Sequence, residues 1–116
     1  RDQARVYPRL QLPVIVGRGS GSSLQVEDNR VSRVHARIDL MGGVLQITDL
    51  SINGTYVRFT GDDEVLSLRR GACTLHGSGE IGLGGSPNDD KAPVLHFSVL
   101  ASVETSPMQL FGPPTV

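Results

Sequence analysis

The chain reads as an all-β protein, an antiparallel sandwich of about ten to eleven short strands. Apolar and polar residues alternate with period two along most of its segments. The breaks between them carry Gly, Asn, Asp or Ser, the residues that turns require. No stretch shows the 3.6-residue apolar period of an amphipathic helix.

The first strands are short, over residues 6–10, 13–16 and 24–26. Val34, Ala36, Ile38 and Leu40 then alternate with His35, Arg37 and Asp39, a half-buried strand. Met41-Gly42-Gly43-Val44 predicts a hairpin, because two glycines can take positive φ between apolar runs. Its return strand covers 44–48, and further strands follow over 56–59, 65–69, 73–76 and 80–83. Residues 84–93 are rich in Gly, Ser, Pro, Asn and Asp and predict a long loop. Leu95, Phe97, Val99, Ala101 and Val103 alternate with His96, Ser98 and Ser102, which predicts the longest strand. Residues 1–103 are therefore expected to form one domain. Residues 104–116, with Pro107, Pro113 and Pro114, are expected to be a linker or tail.

Length and charge narrow the function. A chain of 116 residues suffices for one domain that buries about two thirds of its unfolded surface. Its formal charge of −1 supplies no global field for nucleic acid or an anionic membrane, so anion binding must come from a local cluster of donors. The longest apolar runs are too short to span a bilayer as a helix. The lone Cys73 excludes an internal disulfide and points to a reducing compartment. Neither Cys73 nor His35, His76 and His96 show metal-ligand spacing, so no metal or other cofactor is expected. The sequence starts at Arg1 without a leader pattern and reads as a fragment of something longer.

Three loop blocks carry the chemistry: Gly17-Arg18, Ser32-Arg33-Val34-His35, and Asp49-Leu50-Ser51-Ile52-Asn53-Gly54-Thr55. A phosphate dianion offers three acceptor oxygens and needs donors fixed in advance. Arg18 and Arg33 supply guanidinium groups, Ser32 a hydroxyl, and the turn around Gly19 exposed backbone N–H groups. Asn53 offers an amide donor and acceptor suited to the backbone of an extended peptide. Singly, each residue is more often a solvated side chain or a turn former. Together, in this order and spacing, they gain meaning.

In that order and spacing the blocks resemble the forkhead-associated (FHA) domain, a β-sandwich of FHA/SMAD-like type that binds phosphothreonine peptides through loops at one end. The resemblance covers about residues 14–58. It implies that Arg18, Ser32 and Asn53 contact peptide or phosphate, and that Arg33 stands where many members place a second phosphate-contacting side chain. Gly17, His35, Gly54 and Thr55 match positions that hold the loops. Two departures stand out: Ile52 replaces the Thr or Ser of many members, and Arg58-Phe59-Thr60-Gly61 replaces a frequent Asn-Gly pair. The stretch 68–84 looks more loosely like bacterial members attached to nucleotide cyclases. That likeness implies a cytoplasmic bacterial signalling protein in a Ser/Thr kinase pathway.

Two other patterns invite enzyme readings. Residues 77–82 fit GxGxxG, but Gly84-Gly85-Ser86-Pro87 follows where a dinucleotide site needs a helix, so a glycine-rich hairpin or bulge is expected. Ser32, His35 and Asp49 have the residue types of a hydrolase triad. Ser32 and His35, however, are three apart and in extended chain point to opposite faces, and no serine sits in a nucleophile elbow. The expectation is thus a non-enzymatic module with no catalytic residue, whose partner is a Thr-phosphorylated protein, with no nucleic acid and no membrane. The alternative is the same fold docking a protein without phosphate, through sheet faces or the loop at 58–63.

Overall fold

The computed structural model describes residues 3–7, 12–99 and 108–112. It contains eleven strands among them: β1 (Gln3–Tyr7), β2 (Val14–Gly17), β3 (Leu24–Gln25), β4 (Ala36–Met41), β5 (Val44–Asp49), β6 (Thr55–Phe59), β7 (Leu66–Leu68), β8 (Ala72–Leu75), β9 (Ser78–Leu83), β10 (Val94–Val99) and β11 (Met108–Gly112). They form a six-stranded sheet in the order β1-β11-β10-β9-β6-β7 and a five-stranded sheet in the order β3-β2-β4-β5-β8. Every pairing is antiparallel except the short β2–β3 pair.

The period-two pattern sets the core. Val14, Val16, Ala36, Ile38, Leu45 and Ile47 of the smaller sheet are buried, together with Val57, Ile81, Leu83, Leu95, Phe97 and Leu110 of the larger one. Each large aliphatic or aromatic side chain removed from water contributes about 1.5–3 kcal/mol, before the entropy of ordering it. Gly42 and Gly43 take φ of 61° and 88° between β4 and β5, as the two-glycine hairpin requires.

Three expectations are corrected. Part of the expected tail, Met108–Gly112, is strand β11, lying between β1 and β10 with Leu110 fully buried. Proline at 107, 113 and 114 disguised it in the sequence. The GxGxxG stretch forms β9, but β8 and β9 belong to different sheets, so their connection is a crossover and not a hairpin. Finally, β4 begins at Ala36 and not at Val34, because the backbone before it folds around the His35 ring. The expected strand at 6–10 is described only to Tyr7, and the last long strand only to Val99, so the remainder of both lies outside the described residues.

The register gathers the loops. Val16 pairs with Ala36, Ala36 with Asp49, and Thr48 with Ala72. The chain after β2, before β4, after β5 and before β8 therefore leaves the smaller sheet at one edge.

Candidate functional site

At that edge the loops are bonded to one another by backbone groups. Arg18 N–H donates to Ser32 O at 2.9 Å and Gly19 N–H to Arg33 O at 3.0 Å. The approach is so close that a Cβ on Gly17 would stand 2.1 Å from Arg33 O. Gly17→Ala must push the two loops apart and should destabilise the domain by about 1–3 kcal/mol. A midpoint shift in urea unfolding checks it.

The third loop is bonded to the second by side chains. Ser32 Oγ accepts from Ile52 N–H at 3.1 Å, and Asn53 Nδ2 donates to Arg30 O at 3.0 Å. Beneath them lies His35, fully buried. Its Nδ1 accepts from the Ser32 backbone N–H at 3.0 Å, which fixes the proton on Nε2, and Nε2–H donates to Gly54 O at 2.9 Å. A neutral imidazole thus clamps two loops together.

Asp49 anchors the third loop from inside. One carboxylate oxygen accepts from the Ser51 hydroxyl at 2.6 Å, the Thr55 hydroxyl at 2.7 Å and Ser51 N–H at 3.2 Å, and the other accepts from Arg70 N–H at 2.9 Å. Ser51 Oγ in turn accepts from Gly54 N–H at 2.8 Å.

Both buried groups make stability depend on pH. Burial pulls the His35 pKa below its usual 6.5, and the Gly54 carbonyl and the Asp49 charge restore only part of it. Burial alone would raise Asp49, but the bonds from Ser51, Arg70 and Thr55 together hold it below its usual 3.8. In both cases the unfolded chain takes up the proton first, so stability is full above the unfolded pKa and falls with pH below it. Melting temperature should begin to fall as pH drops through 6.5, through His35, and fall again below about 3.8, through Asp49. Melts of His35→Gln, which cannot ionise, should show the first step flattened.

The outward groups remain to be placed. Arg18 is exposed, and its Nε donates to Val31 O at 2.9 Å, which holds the guanidinium in place and leaves its terminal nitrogens free of partners among the described residues. Because Ser32 Oγ accepts from Ile52, its own O–H is free to donate. Arg33 is exposed, without a side-chain hydrogen bond among the described residues. Asn53 is exposed and keeps one amide hydrogen and its oxygen.

The FHA domain family model matches residues 14–72, about half of the chain, including all three blocks. The chain belongs to the FHA family. This FHA domain is similar in fold to the FHA-1 domain of Mycobacterium tuberculosis Rv1747, at 16% identity and a TM-score of 0.51, over 96% of this chain and 93% of that one. It is similar also to the FHA domain of human APLF, solved in complex with an XRCC1 bisphospho peptide, at 21% identity and a TM-score of 0.51, over 90% of this chain and 95% of that one. No curated protein matched by sequence.

The FHA loops bring Arg18, Ser32, Arg33 and Asn53 to one end, on the scaffold of Gly17, His35, Gly54 and Thr55. The triad pattern dissolves in the same geometry. His35 meets the backbone of Ser32 and not its hydroxyl, and Asp49 is occupied by Ser51, Thr55 and Arg70. Sequence reasoning missed Arg69 and Arg70. Arg70 Nε donates to Ser51 O at 3.0 Å, and Arg69 reaches the Tyr56 hydroxyl at 3.4 Å. Their only sequence signal was a pair of adjacent arginines before a glycine.

Proposed function

We propose that this FHA domain is a phosphothreonine-dependent protein–protein interaction module that binds an extended phosphopeptide across the loops at 17–23, 29–34 and 50–55. Arg18, Arg33 and the Ser32 hydroxyl hold the phosphate, and Asn53 pairs with the peptide backbone beside it. The observation that carries this reading is the bracing of Ser32. Its N–H is fixed by His35 and its Oγ by Ile52 N–H, which leaves its O–H to donate, and the Arg18 guanidinium is held by the carbonyl of the preceding residue, Val31. Donors fixed before the ligand arrives lose little entropy on binding it.

The family is one of interaction modules rather than enzymes, and the module's role is to bring a Thr-phosphorylated protein to whatever the parent chain carries. A cytoplasmic parent in a bacterial Ser/Thr kinase pathway, such as one bearing a nucleotide cyclase, suits the single cysteine and the looser likeness of residues 68–84. A near-neutral charge and few aromatic residues favour a peptide over nucleic acid or membrane as ligand.

One observation favours a second reading, phosphate-independent docking. Ile52, 79% exposed, puts an apolar side chain at the tip of the third loop. Titration with degenerate phosphothreonine, phosphoserine and unphosphorylated peptide libraries separates the two. Selective binding of the phosphothreonine library is the expected result. Equal binding of all three libraries leaves docking without phosphate as the function.

A further inference from the structure

We propose that the cavity between the β5–β6 and β7–β8 loops receives a second anionic side chain of the same bound peptide. This rests on the phosphopeptide reading above and adds to it a specificity-determining site. The cavity measures about 210 Å3 and is lined by Asp49, Ser51, Ile52, Gly54, Arg69 and Arg70. It shares Ser51, Ile52 and Gly54 with the loop that carries Asn53, so a peptide laid on Asn53 passes its mouth.

The chemistry of the lining selects an anion. Its one carboxylate, Asp49, is buried and committed: both oxygens are taken by Ser51, Thr55 and the Arg70 backbone, and among the described residues neither forms an ion pair with a guanidinium. Arg70 spends its Nε on Ser51 O and keeps two terminal nitrogens without partners among the described residues. Among the described residues Arg69 has only the long 3.4 Å contact to the Tyr56 hydroxyl. Two exposed guanidinium groups therefore face a cavity whose own acid cannot neutralise them at contact.

The backbone adds an independent sign. Arg70 is the non-glycine residue with positive φ among the described residues, at 63°. A bulky residue there is strained, and glycine would relieve it. The turn places the Arg70 backbone N–H on the Asp49 carboxylate, and the Nε bond to Ser51 O holds the guanidinium at the cavity wall, with less freedom to lose when an oxyanion docks.

The test uses phosphothreonine peptides in which one Gln at a time, on either side of the phosphothreonine, is replaced by Glu or by phosphoserine. One position should raise affinity at least about threefold over Gln, as expected for a partly exposed charge pair. Whichever of Glu and phosphoserine gains more identifies the source of the anion. The gain should disappear in Arg69→Gln combined with Arg70→Gly, which keeps the turn conformation, and persist in Arg30→Gln, whose guanidinium already faces Asp89 at 3.4 Å. Arg69→Gln alone, on an exposed side chain, must diminish the gain even where the double variant loses its fold. The proposal is overturned if phosphothreonine peptides bind but no position prefers an anion. It is equally overturned if the preference survives the Arg69/Arg70 changes or vanishes in Arg30→Gln. Absence of binding by every phosphothreonine peptide removes the functional reading and this inference together.

Discussion

Asp49→Ala should cost about 3–5 kcal/mol of folding stability, a large part of the 5–15 kcal/mol typical of a small domain. The carboxylate is buried and accepts four hydrogen bonds from Ser51, Thr55 and Arg70. Bonds to a charged acceptor contribute about 1.5–3 kcal/mol each, and a buried donor left without its acceptor costs about 1–3 kcal/mol. Solvent can rescue the exposed Arg70 side of the network, whereas the hydroxyls of the buried Ser51 and Thr55 would lose their shared acceptor. Asp49→Asn should cost less, since one oxygen still serves both hydroxyls while its NH2 opposes Arg70 N–H. Urea unfolding of the three proteins checks the order; equal stabilities would mean that the network is incidental.

Ser32→Ala should weaken phosphothreonine peptide binding by about tenfold to over a hundredfold, with a far smaller effect on the fold. A hydrogen bond to the phosphate involves a charged partner, worth about 1.5–3 kcal/mol, and each 1.4 kcal/mol is a factor of ten. The structural bond lost, from Ile52 N–H to Ser32 Oγ, lies at an exposed loop where water can replace the acceptor. The His35 clamp survives, because it holds the Ser32 backbone. Ser32→Thr restores a hydroxyl and should recover part of the affinity. Calorimetric titration of the three proteins, with melting curves to show they are folded, gives the answer. Unchanged affinity in Ser32→Ala would remove the hydroxyl from the phosphate site.

Much of the fold is legible in the sequence because a sandwich declares itself locally. The alternation of Ala36, Ile38 and Leu40 with Arg37 and Asp39, and the glycines at 42 and 43, need no distant partner to be read. What escaped depends on pairing far along the chain. Leu110 looks like a tail residue between prolines until β1 and β10 stand on either side of it. The candidate site divides in the same way. Arg18, Ser32 and Asn53 are visible as ordered loop residues, and the support under them is only half visible. His35 could be read as a brace, but the reach of Arg70 to Asp49, across 21 residues, follows from β8 pairing with β5 and from no local pattern. The departure at Ile52 is visible in the sequence as a missing hydroxyl, but its backbone N–H holding Ser32 is a property of the loop's path.

The pairing of β1 with β11 has a mechanical meaning. Gln3 lies opposite Gly112 in an antiparallel pair, so the described chain enters and leaves on one rung, about 5 Å apart. A module with such a doorway can be spliced into a surface loop of another protein without stretching its host. Tension applied through flanking segments would meet the ladder from its open end and undo it one rung after another, as a zipper opens, instead of shearing all rungs together. The loops at 17–23 and 29–34 hang from β2, β3 and β4 on the other sheet, and the loop at 50–55 runs into β6, with β9 and β10 between it and β11, so the first rungs can part while those loops keep their shape.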